Sequence, residues 1–155
     1  MIHGSMPTAP EGFSHKFATV NGLRFHYVEG GAPGEPTVVL MAGFPESWYA
    51  WRHVMPQLGR RFHIIALDLP GQGDSDRPLD GYDTQTIARR THDLLAHLGV
   101  RRYRLAGHDV GAWVAFPYAH LFAQEVEALA LMDAGIPGVT LPDRLPAASP
   151  DAWKT

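Results

Sequence analysis

The segment Gly107–Gly111 reads Gly-His-Asp-Val-Gly, so a single carboxylate stands between two glycines. It follows an apolar run and precedes a helical pattern, which predicts a sharp strand-to-helix turn with Asp109 at its apex. A side chain at such an apex is exposed above the sheet, and the crowded backbone needs small residues at positions 107 and 111. The alternative is an ordinary turn in which Asp109 caps the helix. The strand–turn–helix context favours a nucleophile.

An aspartate at this position does different chemistry from a serine. A carboxylate is ionised near neutral pH and needs no base before it attacks. It suits displacement at a saturated carbon, which leaves an alkyl ester on the protein for water to hydrolyse. The electrophiles that fit Asp109 are therefore epoxides and alkyl halides.

A second carboxylate, Asp133, follows another apolar run. A carboxylate at a neighbouring strand end can orient a catalytic histidine, and the alternative is an Asp that caps the next loop. The chain has nine histidines, but none follows a late strand. His108 adjoins Asp109 and should point away from it, whereas His26 and His53 fit surface or core positions.

The hydrophobic pattern predicts an α/β fold that positions these groups. Two β-rich runs, 17–20 and 23–28, flank the hairpin signal Asn21-Gly22. The continuous apolar run 37–41 predicts a strand buried on both faces, and three further segments predict buried parallel strands: 62–67, 103–106 and 126–132. Helical spacing is found in three segments: 48–58, 87–98 closed by Gly99, and 112–121, where Pro117 should shorten or kink the helix. The hairpin and the alternation predict a mostly parallel sheet with helices on both faces, and active residues beyond the carboxyl ends of its strands.

Composition excludes several classes of protein. The 155 residues are 45% hydrophobic and 19% charged, which excludes a disordered or collagen-like chain. The net charge is −3 and the basic residues are scattered, so nucleic acid is not an expected partner. No apolar stretch is long enough to span a membrane, so no membrane partner is expected. The chain has no cysteine, which removes thiolate catalysis and fits a cytoplasmic location.

Three motifs resemble the α/β-hydrolase superfamily, and within it the branch of epoxide hydrolases and of haloalkane and haloacetate dehalogenases. They occur in the family's order, at 43–48 (Gly-Phe-Pro-Glu-Ser-Trp), 68–76 (Asp-Leu-Pro-Gly-Gln-Gly-Asp-Ser-Asp) and 107–111. The likeness covers residues 16 to about 140. It implies that Asp109 is the nucleophile and that Asp133 is the acid that orients the catalytic histidine.

The resemblance also implies the surroundings of Asp109. The backbone N–H groups of Phe44 and Val110 are the expected oxyanion donors. The expected pocket residues are Phe44, Pro45, Trp48 and His108. The branch often has a cis bond at the position of Phe44–Pro45. It usually has a histidine where this chain has Ala42, which removes a polar side chain behind the loop but leaves the backbone donor.

The loop 68–76 is expected to be structural. Its glycines and proline make the turn, and Asp68, Asp74 and Asp76 can accept hydrogen bonds from loop N–H groups. Three nearby carboxylates also suggest a metal ion, but their spacing matches no calcium loop. We therefore expect neither a metal nor a cofactor.

The expected organisation has three parts. Residues 1–14 are a tag or a flexible N-terminus, and residues 15–140 are the N-terminal half of the core. Residues 141–155, which contain several prolines, are a linker into a cap domain. The resemblance places the cap and the catalytic histidine later, in the same polypeptide or a companion chain, and a homodimer is a further expected partner. Without them, residues 1–155 should not form an active monomer, because the apolar strand that contains Leu131 would be an unpaired edge.

Hydrolysis of an epoxide to a vicinal diol is the function that the residues favour. Haloalkane dehalogenases usually have Trp after the nucleophile and often Asn in the first loop, and fluoroacetate dehalogenases usually have Arg after the nucleophile. Here those positions are Val110 and Phe44, whose side chains donate no hydrogen bond to a leaving halide. The expected substrates are a small apolar epoxide and water. A dehalogenase is the first alternative, and a non-catalytic binding protein that kept the fold is the second.

Overall fold

The computed structural model describes residues 6–136 and 138–141. Strands and α-helices follow in the order β1 (Phe13–Val20), β2 (Leu23–Gly31), β3 (Thr37–Met41), α1 (Met55–Leu58), β4 (His63–Leu67), α2 (Thr84–His97), β5 (Tyr103–His108), α3 (Val110–Leu121) and β6 (Val126–Met132). A short 3-10 helix, Trp48–Trp51, precedes α1. The element order confirms the predicted hairpin and the alternation of strands and helices that follows it.

The strands form one sheet in the order β1-β2-β4-β3-β5-β6. β2 pairs antiparallel with β1 and β4, and the pairs β3–β4, β3–β5 and β5–β6 are parallel. Gly107 on β5 pairs with Met41 on β3 and with Leu131 on β6. The register aligns the carboxyl ends of these three strands, so the segments that follow them meet at one edge of the sheet.

The apolar core lies on both faces of the sheet, as predicted. Successive side chains of β3 alternate between the faces because a strand has a period of two. Val39 and Met41 pack on the face covered by α2 and α3, whereas Val38 and Leu40 pack with Trp48 and Met55 on the opposite face. The mostly parallel α/β fold is therefore confirmed.

The helices differ in detail from the sequence pattern. The predicted helix over 48–58 is divided into the 3-10 helix and α1. The helix α3 continues through Pro117 to Leu121 and is not shortened. α2 begins after Asp83, whose Oδ1 accepts a hydrogen bond from Thr86 N–H at 2.9 Å. Gly99, which follows the C-terminal end of α2, has φ +75°, the conformation expected after a helix end.

The first and last strands of the described sheet bear on the expected organisation of the chain. β1 begins at Phe13, so residues 13 and 14 belong to the sheet rather than to a flexible N-terminus. β6 is an edge strand of the described sheet, and its residues are mostly exposed, including Leu129 at 38%, which agrees with the expected apolar edge at Leu131. Residues 1–5 of the predicted tag, Pro137 and all of the predicted linker after residue 141 lie outside the described residues. Among the described helices, none has the length and apolar character to cross a membrane.

Candidate active site

Asp109 is at the turn between β5 and α3, with φ +53° and ψ −119°. A non-glycine residue rarely adopts this backbone conformation, which must be held by its surroundings. Its N–H donates to the Met132 carbonyl at 3.0 Å, and its carbonyl accepts from Ala112 N–H at 3.0 Å and from Trp113 N–H at 3.2 Å. The predicted strand-to-helix turn is confirmed, and it presents a partly exposed carboxylate.

Close backbone packing explains the glycines on either side of the turn. A Cβ atom at Gly107 would collide with the backbone of Gly111, and one at Gly111 would collide with the Met41 carbonyl. A third glycine, Gly43, faces the carboxylate, because a Cβ there would lie 2.8 Å from Asp109 Cβ and 2.9 Å from its Oδ1. The segment after β3 can therefore approach the carboxylate only because it lacks side chains at that point.

The approach brings an amide donor to the carboxylate. Phe44 N–H donates to Asp109 Oδ1 at 3.0 Å, and the Phe44–Pro45 peptide is cis, as expected. The N–H groups of Phe44 and Val110 hold the pKa of Asp109 below its ordinary value, and the nearby His108 acts in the same direction. The two predicted oxyanion donors therefore both lower the pKa of the predicted nucleophile.

Side chains behind the loop fix its position. Gln72 Nε2 donates to the Gly43 carbonyl at 3.0 Å, and Glu46 Oε2 accepts from Gly43 N–H at 3.1 Å. Asp68 Oδ1 accepts from Trp48 N–H at 2.7 Å, which anchors the far end of the loop. Sequence reasoning gave no role to Gln72 or Glu46. Two features of the sequence could have indicated these roles: Gln72 is a polar residue between Gly71 and Gly73, and Glu46 is an acid three positions after Gly43.

Asp133 follows β6 with φ +51°, and its side chain is 89% exposed. Its Oδ2 lies 3.6 Å from His108 Nε2, and His108 Nδ1 lies 3.3 Å from Glu46 Oε2. His108 therefore points toward two carboxylates. Of the described imidazoles, His108 is the one within ion-pair distance of Asp133.

A cavity of about 180 Å³ opens beside Phe44 and Val110. The other residues that line it are mostly apolar and come from the loop after β4, from α2 and its approach, and from α3: Leu69, Pro70, Gly71, Gln72, Tyr82, Thr84, Ile87 and Val114. Cavities of roughly this size hold a small ring or a short carbon chain. An apolar substituent thus has space next to the amide donors of Asp109.

Three of the four expected pocket residues do not line this cavity, and only Phe44 does. The expectation for Trp48 is wrong: its side chain is 1% exposed and packs in the core with Leu40 and Met55, while its backbone N–H donates to Asp68. Pro45 is exposed and lies outside the cavity. His108 also lies outside it, and its Nδ1 contacts Glu46 Oε2.

The loop 68–76 makes the contacts that its carboxylates predict. Asp68 Oδ2 accepts from Asp74 N–H at 2.9 Å, and Asp76 Oδ2 accepts from Arg24 N–H at 2.8 Å. His26 is fully buried beside Asp68, which confirms the core interpretation, and His53 is exposed. Ligand atoms of His26, Asp68 and Asp74 lie within 4.8 Å of one another. The bond of 2.6 Å between His26 Nδ1 and Asp68 Oδ2 commits two of these atoms to each other.

The chain is similar in sequence to known proteins. A family model described as the alpha/beta hydrolase fold matches residues 36–154. The soluble epoxide hydrolase of Corynebacterium sp. (strain C12) is 44% identical over 126 residues, which cover 81% of this chain and 43% of that protein.

Solved structures give the same result. Wild-type Cfl2 from Burkholderia cenocepacia superposes with a TM-score of 0.84 at 59% identity, covering 94% of this chain and 50% of that chain. A loop variant of the haloalkane dehalogenase DbeA from Bradyrhizobium elkanii gives a TM-score of 0.76 at 33% identity, covering 81% and 42% of the two chains. The chain thus spans half or less of the length of these relatives.

Proposed function

The chain belongs to the α/β-hydrolase family, and we propose that it is the nucleophile-bearing part of an epoxide hydrolase. The observation that carries this proposal is the contact between Phe44 N–H and Asp109 Oδ1. It supports a nucleophilic role for Asp109, because the carboxylate lies within hydrogen-bonding distance of an amide that can stabilise negative charge. The epoxide hydrolase from Corynebacterium supports the same reaction class.

In the proposed reaction, a carboxylate oxygen of Asp109 attacks one epoxide carbon. The carbon–oxygen bond of the ring breaks, and the substrate becomes an alkyl ester of Asp109 with an alkoxide that takes up a proton. Water then adds to the ester carbonyl, and the resulting oxyanion is stabilised by the N–H groups of Phe44 and Val110. Collapse of this intermediate releases the vicinal diol and restores the carboxylate. No metal or cofactor enters these steps.

Asp133 is proposed to orient the histidine that activates this water. It is at a strand end next to the turn that contains Asp109. We propose that this histidine and the acid that protonates the alkoxide come from the remainder of the protein, in the same polypeptide or a companion chain. A homodimer and a cytoplasmic location are further proposals, the second resting on the cysteine-free composition.

The cavity beside Val110 defines the proposed substrate class. Its mostly apolar lining and its volume of about 180 Å³ suit a small apolar substituent on the epoxide. A haloalkane dehalogenase shares the fold and is the alternative. It is disfavoured because the side chains of Val110 and Phe44 offer no hydrogen bond to a leaving halide.

Covalent capture tests the proposal on the complete protein, which supplies the acid that protonates the alkoxide, with the reaction quenched before the ester is hydrolysed. Treatment with styrene oxide should raise the intact mass by one styrene oxide, and peptide mapping should locate the ester on Asp109. Asp109→Asn should prevent this capture, whereas Asp80→Asn should not, because Asp80 is an exposed carboxylate outside the site. Capture from phenethyl bromide but not from styrene oxide would support the dehalogenase instead. Capture from neither would support the non-catalytic alternative.

A further inference from the structure

A series of short polar contacts joins the N-terminal segment to the loop behind the active site, and the proposed reaction does not use it. His15 Nε2 lies 2.8 Å from the Pro7 carbonyl oxygen, and His15 Nδ1 lies 2.9 Å from His26 Nε2. His26 Nδ1 lies 2.6 Å from Asp68 Oδ2. The side chains of His26 and Asp68 have no exposed surface. We refer to the side chains of His15, His26 and Asp68 as the histidine relay.

The contacts of the relay fix the number of its protons. A carbonyl oxygen only accepts, so His15 Nε2 must donate to Pro7. The contact between the two imidazoles needs one proton, carried by either ring. The contact between His26 and Asp68 needs another, which makes three protons for two rings. Two neutral imidazoles carry only two, so the relay holds one proton more than neutral histidines supply.

The extra proton resides on the imidazoles rather than on Asp68. Both oxygens of Asp68 already accept hydrogen bonds from backbone N–H groups, Oδ1 from Trp48 at 2.7 Å and Oδ2 from Asp74 at 2.9 Å. These donors favour a carboxylate. A buried carboxylate is costly unless a positive charge compensates it, and the imidazolium provides that charge.

Asp68 connects the relay to the candidate active site. The bond from Trp48 N–H to Asp68 anchors one end of the loop 43–48, and this loop carries the Phe44 N–H that reaches Asp109. We propose that the extra proton of the histidine relay holds Asp68 as the anchor of this loop, and that His26 is a positioning residue for the reaction. The positioning role rests on the proposed function, whereas the proton count does not.

Nitrogen-15 NMR of the histidine rings tests the proton count on the full chain near neutral pH. We expect His26 Nδ1 to be protonated and hydrogen-bonded, and the rings of His15 and His26 together to carry three nitrogen-bound protons. The variants His15→Leu and His26→Asn assign the signals. Two neutral rings, or an unprotonated His26 Nδ1, would overturn the inference whatever the activity of the protein.

Hydrogen exchange tests the positioning role. His26→Leu removes the charge and the donor, so the amide protons of Trp48 and Asp74 should exchange roughly tenfold faster or more, while those of Leu94 and Leu95 in α2 stay protected. His26→Asn can still donate to Asp68 and should restore part of the protection. The matched control is His53→Ala, since His53 is exposed. Unchanged exchange at Trp48 in a folded His26→Leu variant would overturn the positioning role.

Two further measurements distinguish failure of the relay from failure of folding or of the proposed function. If His26→Leu does not fold, His15→Leu serves in its place, because His15 is partly exposed and its loss should still accelerate exchange at Trp48. Capture of styrene oxide at Asp109 should slow along with the faster exchange at Trp48. If the unsubstituted complete protein captures no epoxide, the proposed function fails, and the NMR and exchange results still decide the relay.

Discussion

The N–H of Phe44 lies 3.0 Å from Oδ1 of Asp109, although 65 positions separate the two residues in the chain. The contact exists because β3 and β5 are parallel neighbours whose carboxyl ends are in register. A donor that is already in place needs no rearrangement when charge develops during the reaction. This preorganisation gives several expected outcomes.

Gly43→Ala should impair the reactive carboxylate without unfolding the chain. The added Cβ would lie 2.8 Å from Asp109 Cβ, so the carboxylate must move away from Phe44 N–H. In the complete protein, we expect hydrolysis of the alkyl ester to slow by roughly 10², the effect of losing one oxyanion donor. Time-resolved intact mass spectrometry measures the rate. The control is Glu35→Ala, an exposed residue outside the site, and equal rates in the two variants would argue against this role of Gly43.

The capture rate should be insensitive to mild acid. The N–H groups of Phe44 and Val110 lower the pKa of Asp109, so the nucleophile stays ionised through the ordinary range of a carboxyl group. Because the pKa is lowered, the carboxylate and its hydrogen bonds are lost only when the pH falls through that lowered value. We expect a constant rate from about pH 8 to about pH 4.5 and a decline below the ordinary value near 3.9. A decline that begins near pH 6 would contradict this.

Asp133→Asn, in the complete protein, should separate the two chemical steps. Because Asp109 is the proposed nucleophile, the ester should still form. Hydrolysis should fail, because the acid orients the histidine that activates water. Single-turnover kinetics would show accumulated alkyl ester, and Asp80→Asn would show normal turnover. Loss of ester formation before loss of hydrolysis would exclude this role for Asp133.

Gln72→Glu should destabilise the chain in a pH-dependent way. Gln72 is 8% exposed and donates to the Gly43 carbonyl, whereas an ionised Glu cannot donate. We expect a loss of about 1–3 kcal/mol in the free energy of unfolding near pH 8, partly recovered in acid when the carboxyl group can donate again. Denaturant titration measures it, with the exposed Gln57→Glu as control. Equal losses at both pH values would argue that the hydrogen bond to Gly43 is unimportant.

Local patterns were sufficient to predict most of the fold. Continuous apolar runs marked the buried strands, Asn21-Gly22 marked the hairpin, and Gly107 and Gly111 marked the sharp turn at Asp109. Each of these patterns spans only a few consecutive residues, so it can be recognised in a single sequence. The exposure of β6 at the edge of the sheet was also expected from the resemblance, which continues the sheet beyond this strand.

The rest of the site depends on contacts between distant segments. Trp48 was placed in the pocket from its motif, but its side chain packs in the core while its backbone N–H donates to Asp68 on another loop. Gln72 and Glu46 act on Gly43 by hydrogen bonds that no spacing reveals. The burial of His26 beside Asp68 follows from the pairing of β2 with β4, which local periodicity does not encode.

The strand order also sets a sequence of events during synthesis. β3 leaves the ribosome before β4, and β5 follows only after α2, yet β5 must then pair with the open side of β3. Such a long-range parallel pairing forms late, because the intervening chain must first be ordered. Asp109 therefore acquires its partner Phe44 only when the third parallel strand docks. A nascent chain that has made only β3 and the loop after it lacks the contact between Phe44 and Asp109, and the candidate site is assembled only when the central sheet is complete.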